Sequence, residues 1–319
     1  MMLPRDWQDR HLDVLVRDPL VGYAKDGPPA AEPLAIAALA ALGHDLPETA
    51  YAACAELQRC QHINGSVSVW LDDSGPYWPT SLACIAWQCF KRRYPERISA
   101  SWQSNIDRGL QYLLSCGGVK NPIRDEIGHN TQLVGWPWVQ GTHSWLEPTA
   151  MTLLALRHNG FEHHPRAVEA AHLLIDRQVP GGGANYGNTY VLGQKLVSHV
   201  MPSAMSLVAL SHVTPRALSL VDSMAFLNQQ CRFPMGAVSL AWSLHAMSTA
   251  DADPAGEINP DNASDRWSAL LRSAVRRMQV TGSQPHQNNW LLLASLLDRS
   301  PLLVRNEMSI PSITSLKTN

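Results

Sequence analysis

The sequence has few charged residues and no long apolar run. Asp, Glu, Lys and Arg make up 16% of its 319 residues, against about 25% in a typical soluble domain. The formal net charge of −2 lacks the basic footprint of a nucleic-acid-binding protein. The alanine-rich run from Pro33 to Leu42 is shorter than the roughly 18 residues that suggest a membrane span. Residues 1–10 contain no apolar signal core, so we expect a cytoplasmic protein, with a peripheral membrane contact left open.

The sequence also lacks the common metal and redox motifs. Its six cysteines form no Cys-x-x-Cys pair, and no cysteine lies at ligand spacing from the scattered His143, His158, His163 and His164. The sequence therefore predicts free thiols and no protein-bound metal.

One pattern recurs along the chain: a proline, then small or hydroxyl residues, then an apolar helix. Pro suits the first helical position because its fixed φ fits a helix and its missing N–H would be unpaired there. A helix that is apolar on all sides should be buried. Four copies begin at Pro33, Pro79, Pro148 and Pro202, and two weaker copies begin at Met235 and Gln287.

More amphipathic segments lie between these copies, and some end in Gln followed by a Gly-rich turn. Repeats of this kind indicate helical hairpins that stack on a shared core. We therefore predict an all-α fold, an (α/α)6-type toroid of about five to six hairpins. It forms a single domain over residues 1–319, with repeats over about 30–300 and a polar tail over 309–319.

The turn pattern resembles a known repeat. Leu57-x3-Gln61-x3-Gly65-Ser66, and Leu174-x3-Gln178 with its following glycines, resemble the Gln half of the Gln–Trp motif. That motif belongs to squalene-hopene cyclases, related class II terpene cyclases and prenyltransferase β subunits. The resemblance implies an isoprenoid substrate in a central apolar, aromatic-lined cavity. This chain has Val67 and Ala184 where the family places Trp.

The chain has room for one of the two helical domains of a full triterpene cyclase. A partner protein, or a second domain on another chain, therefore stays open.

Glu147 is the first candidate catalytic residue. The run from Trp145 to Ala150 resembles the register of the cyclase Asp-x-Asp-Asp motif, with Glu147 at the position of the proton-donating acid. The flanking acidic positions are Trp145 and Pro148, so the motif itself is absent. The structural alternative is an acidic residue that favours a helix N-terminus by charge–dipole attraction.

Asp72 and Asp73 are the other candidate catalytic residues, because they follow Trp70 and resemble the last half of the same motif. They would hold Mg²⁺ only if the substrate were a diphosphate; otherwise no cofactor is expected. The alternative for this pair is a local turn.

The candidate substrate-binding residues are mostly aromatic and lie near helix entries. Aromatic faces stabilise passing cations, although aromatic side chains also pack between hairpins. They are Trp70, Tyr77, Trp78, Trp136, Trp138, His143, Trp145 and Tyr186.

Three functions remain open. The first is a terpene-cyclase-like enzyme, and the second is a noncatalytic isoprenoid- or lipid-binding toroid. The third is a carbohydrate-active toroid, in which Glu147 and Asp72 or Asp73 would supply paired carboxylates. An enclosed aromatic cavity would favour isoprenoids, and a polar groove with two facing carboxylates would favour sugars.

Overall fold

The computed structural model describes residues 3–124, 126–213, 217–249 and 260–304. The polar tail predicted over 309–319 lies outside these residues. The twelve α-helices in the described part are α1 (Arg5–Arg17), α2 (Ala31–Gly43), α3 (Pro47–Arg59), α4 (Thr80–Arg93), α5 (Ala100–Ser115), α6 (Leu146–His158), α7 (Pro165–Asp176), α8 (Val200–Ala209), α9 (Leu218–Gln230), α10 (Ala237–Ser248), α11 (Pro260–Thr281) and α12 (Pro285–Ala294). Two-residue strands β1 (Tyr190–Val191) and β2 (Gln194–Lys195) pair in an antiparallel hairpin.

The helices form two concentric layers. The even-numbered helices from α2 to α12 pack side by side as an inner ring, and the odd-numbered helices pack outside them. The inner helices are the apolar, proline-led segments, and α2 and α6 are buried on nearly every side. The predicted all-α toroid is confirmed, with six helical pairs. No helix in the described part is long and apolar enough to cross a bilayer.

The ring closes between its last and its first inner helix. α12 packs against α2, and the His44 ring nitrogen Nε2 lies 3.1 Å from the carbonyl oxygen of Leu292. The backbone N–H of Lys25 donates to the Gln284 side chain at 3.0 Å. The helix α1 precedes the predicted repeat region and supplies the sixth outer helix, packing on α12 and α2. Its apolar face is short, so the repeat pattern in the sequence does not include this helix.

A hydroxyl residue at the start of three inner helices fixes the loop that precedes each helix. The hydroxyl accepts a backbone N–H from that loop and donates to a carbonyl just before the helix, so both partners are satisfied while buried. The backbone donors and hydroxyl acceptors are Val67 with Thr80 at 2.8 Å, Trp136 with Thr149 at 2.9 Å, and Ala184 with Ser203 at 2.7 Å. Trp136, which follows Gly135, therefore occupies the position equivalent to Val67 and Ala184. This additional copy of the turn, which lies between the other two in the chain, carries a Trp.

The Gln residues of the turns tie neighbouring outer helices together. Gln61, after α3, donates to the carbonyl of Asn105 on α5 at 2.8 Å. Gln178, after α7, accepts a hydrogen bond from Ser223 on α9 at 2.6 Å. Each glutamine thus joins one hairpin to the next, as a shared repeat requires.

Candidate functional site

The inner helices start at the same end of the ring, so their first turns surround its mouth. Glu32 is the second residue of α2, Glu147 the second of α6, and His286 the second of α12. A helix N-terminus favours negative charge and leaves backbone N–H groups free. Two carboxyl groups and an imidazole, from helices that are far apart in sequence, therefore lie at this mouth.

Glu147 is a buried acid without a hydrogen-bond partner on one oxygen. Glu147 is 4% exposed, and its Oε1 atom has no hydrogen-bond partner among the described residues. Burial, and then the charge of Glu32, raise the pKa of Glu147 to about 7. The two carboxyls are thus close enough to interact, and Glu147 carries a proton for much of the time at neutral pH.

Glu32 is held by neighbours on both of its oxygens. The Tyr23 hydroxyl donates to Oε2 at 2.9 Å, and the Nε2 atom of His286 lies 3.3 Å from Oε1. Burial and the adjacent Glu32 charge raise the pKa of Tyr23, so this hydroxyl stays a donor. Sequence alignment of the helix entries places Glu32 in the register of Glu147, but only the fold brings the two together.

The Nε2 atom of His286 has two competing partners. The indole N–H of Trp290 points to it at 3.0 Å and, as a pure donor, needs an unprotonated nitrogen. A protonated Nε2 would instead donate to Glu32. Tyr23 is therefore the donor on which Glu32 relies in either state of the imidazole.

An aromatic cavity of about 410 Å³ opens at the start of α6, and Glu147 is not among the residues that line it. It borders Pro148, the next residue along α6, and its wall includes the T-shaped pair Trp78 and Trp138, with ring centroids 5.1 Å apart. Six of its lining residues are Tyr77, Trp78, Tyr112, Trp136, Trp138 and Pro148. Four predicted substrate-binding residues, Tyr77, Trp78, Trp136 and Trp138, thus share one wall. Trp136 is itself largely buried, with its indole N–H bonded to the Leu113 carbonyl at 2.8 Å.

Three other predicted residues lie around the same helix entries but outside this wall. Trp145 is half-buried and packs on the exposed ring of His143, with centroids 4.6 Å apart. Tyr186 is 40% exposed and packs on His199. Its carbonyl accepts the backbone N–H of Leu146, so it anchors the start of α6.

The predicted acidic pair lies on the loop that leads to the cavity. Asp72 is exposed, with a positive φ of 63°, and Asp73 is half-buried. The backbone N–H of Asp73 donates to the Trp70 carbonyl at 3.3 Å, which closes a local four-residue turn. Trp70 beside them is 42% exposed. The carboxylate whose charge acts on Glu147 is Glu32.

Metal ligands do not converge in the part of the chain that the structure describes. No group of three or more His, Cys, Asp or Glu side chains is placed there to hold an ion. The buried Cys89 and His158 are adjacent, with sulfur and Nδ1 3.6 Å apart. Burial raises the pKa of Cys89 to about 12 and lowers that of His158 to about 3, so this pair is neutral core.

Comparison with known proteins identifies similar folds and no sequence family. No family model and no curated protein matches the sequence. A protein from Actinoplanes has a TM-score of 0.58 at 13% identity, over 93% of this chain and 99% of its own. An inactive variant of the α-1,6-mannanase GH76A of Salegentibacter sp. HEL1_6, in complex with α-1,6-mannotriose, has a TM-score of 0.55 at 12% identity, over 94% and 98%.

A domain-sized part of a larger protein is also similar. Native α-2-macroglobulin of E. coli has a TM-score of 0.50 at 16% identity over 91% of this chain. The chain spans about a sixth of that protein's length (16%). At these identities the likenesses concern the α/α-toroid fold alone.

Proposed function

We propose that this protein is a carbohydrate-active α/α-toroid enzyme that cleaves a glycosidic bond at the mouth of its inner ring. The observation that carries the proposal is the pair of interacting carboxyls, Glu147 and Glu32, on helices at different positions of the ring. Most glycosidases use two carboxyl groups with different protonation states. The likeness to an α-1,6-mannanase supports a sugar substrate only at the level of the fold.

Glu147 is the general acid of the proposed reaction. A catalytic acid works best when its pKa lies near the working pH, because it then both holds and releases a proton. Burial and the Glu32 charge place the pKa of Glu147 at about 7. The protonated carboxyl would donate to the glycosidic oxygen as the bond to the anomeric carbon breaks.

Glu32 is the second carboxylate. The hydrogen bond from Tyr23 and the contact with His286 would orient it. As a carboxylate it would either attack the anomeric carbon or remove a proton from the attacking water, two mechanisms that differ in product stereochemistry.

The aromatic cavity would hold the sugar next to the acid. Trp78 and Trp138 form a T-shaped pair in the lining, and their rings would pack against the C–H faces of a sugar. Ser74 and Gln140, also in the lining, supply polar groups that can bond hydroxyls.

The apolar character of the same cavity favours a second candidate, an isoprenoid or lipid ligand. Most of the lining is aromatic or aliphatic, and aromatic faces stabilise carbocations. In a terpene-cyclase-like reaction Glu147 would protonate an alkene. In a binding protein the cavity would hold the chain without turnover.

One experiment separates these functions. Wild type, Glu147→Gln and Glu32→Gln would be incubated with α- and β-linked oligosaccharides, and anomeric products followed by ¹H NMR. The same proteins would be incubated with linear isoprenoid hydrocarbons and diphosphates, with and without Mg²⁺, and extracts read by mass spectrometry. Glu48→Gln, an exposed glutamate on α3 paired with Arg97, is the matched control.

Hydrolysis that falls by about 10²-fold or more in Glu147→Gln, falls in Glu32→Gln and persists in Glu48→Gln is the expected result. The anomer released first assigns the mechanism. A cyclised isoprenoid that disappears in Glu147→Gln would replace the first proposal by the second. Isoprenoid retained without any turnover would establish the binding function and overturn both enzyme proposals.

A further inference from the structure

A second, smaller cavity lies near the α6 entry. Its volume is about 190 Å³, below the usual range of drug-sized pockets. It lies between the long loop that precedes α6 and the segment that follows α7. Six of its lining residues are Asn121, His129, Thr131, His143, Arg177 and Asn188. Nothing in the proposed glycosidase chemistry uses this cavity.

Arg177 brings a buried positive charge to this cavity. It follows the last residue of α7 and is 5% exposed. Two of its N–H groups donate to carbonyls, to Gly187 at 3.0 Å and to Asn130 at 3.1 Å. Burial lowers its pKa to about 10, so it stays protonated at neutral pH.

One nearby carboxylate compensates this charge in part. The Asp176 oxygen Oδ2 lies 3.5 Å from the Arg177 Nε atom, too far for a well-formed hydrogen bond. That oxygen accepts the backbone N–H of Asn130 at 2.9 Å instead. Burial also raises the pKa of Asp176, so the ionised form of this carboxyl is less favoured than in a solvated aspartate.

Two buried nitrogens in this lining have no hydrogen-bond partner among the described residues, Arg177 Nε and His129 Nδ1. A buried donor without an acceptor is costly, and most such groups in folded proteins have a partner. The His143 imidazole and the Asn121 and Asn188 amides border the same space. Arg177 Nε can only donate, so this lining contains at least one buried donor without an acceptor.

We propose that this cavity binds a small anion with two or more oxygens, a phosphate or a carboxylate, through Arg177, His129 and His143. Guanidinium groups bind such oxygens by charge-assisted hydrogen bonds. The anion would supply the acceptors that Arg177 Nε and His129 Nδ1 lack. The proposal is independent of the glycosidase proposal, because it requires binding and no turnover.

The test is a titration followed by NMR on the full chain. Protein labelled with ¹⁵N at arginine side chains would be titrated at constant ionic strength with phosphate and, separately, with glucuronate. We expect a saturable shift of the Arg177 Nε–H resonance. The tighter of the two probes identifies the source of the anion as phosphate or carboxylate. Crystals soaked in selenate should show anomalous density in the cavity.

The variants separate binding from folding. His143 is exposed, so His143→Ala should fold normally and weaken binding about tenfold through loss of one charge-assisted hydrogen bond. His163→Ala, which removes another exposed imidazole from the turn between α6 and α7, should bind like wild type. Arg177→Met should abolish binding if it folds. A shift that never saturates, or equal binding by His143→Ala and wild type, would overturn the proposal.

Discussion

The change Glu147→Gln should stabilise the protein at alkaline pH and leave its stability nearly unchanged at acid pH. The pKa of Glu147 is about 7 in the folded chain, against its usual value of 4.5. The folded state therefore binds this proton more tightly than the unfolded chain does. The resulting stability is complete below pH 4.5 and is lost as the pH rises through 7.

The size of the effect follows from the two pKa values. The difference between 7 and 4.5 corresponds to about 3 kcal/mol once both states are ionised. Glutamine resembles the protonated acid in shape and has no charge to desolvate. The variant should thus exceed wild type by up to about 3 kcal/mol at pH 9, and the advantage should vanish toward pH 4.5.

Urea unfolding of wild type and Glu147→Gln at pH 4.5, 7 and 9 measures this difference directly. Other titrating groups are common to the two proteins and cancel in the comparison, except Glu32, whose charge interacts with that of Glu147. Glu48→Gln is the control: the hydrogen bond from Arg97 and its charge lower the pKa of that exposed carboxyl, so its small effect should have the opposite sign. If Glu147→Gln is less stable than wild type at pH 9, the ionised Glu147 side chain stabilises the helix N-terminus. The argument that burial and the Glu32 charge destabilise its ionised form would then fail.

Three further outcomes follow from the packing. Gly182→Ala should destabilise by about 2–4 kcal/mol in urea unfolding, because φ is 101° and the new Cβ would lie 2.3 Å from the Asp222 carbonyl oxygen. Thr149→Val should cost about 1–3 kcal/mol, since it leaves the buried N–H of Trp136 without an acceptor. Burial lowers the pKa of His245 to about 4, so the folded state resists its protonation and stability should fall as the pH drops from 6.5 to 4. His245→Gln should flatten that loss in acid unfolding curves.

Matched variants test the first two of these reasons. Gly160→Ala also places alanine at a positive φ, 77°, but meets nothing within 4 Å, so it should cost less than Gly182→Ala. Thr149→Ser keeps the hydroxyl and should retain most of the stability. Equal losses in Gly160→Ala and Gly182→Ala would show that backbone strain, and not the approach of α9, sets the cost.

The fold could be predicted from the sequence because its signals are local. Pro148 and the apolar run after it specify a buried helix, and Gln178 with its glycines specifies a turn. The sequence does not place helix α1 within the repeat, because its apolar face is short and its position is set by packing against α12.

The candidate site was predicted only in part. Glu147 and the Trp78 and Trp138 wall follow from helix entries that the sequence marks. The partner carboxylate does not, because Glu32 and Glu147 are 115 positions apart and interact only once α2 and α6 take their places in the inner ring. Arg177 gave no signal either, since a single arginine at a helix end is usually solvated.

A closed ring differs from an open stack of repeats in having no ends. Open stacks can lengthen by duplication, and they need polar terminal units to cover their exposed faces. Here α12 covers the face of α2 that a terminal unit would cover, and His44 and Leu292 span 248 positions to hold that seam. Loss or gain of one hairpin would leave a gap or a surplus at the seam. Change in the size of this protein over evolution should therefore be confined to loops such as the one preceding α6.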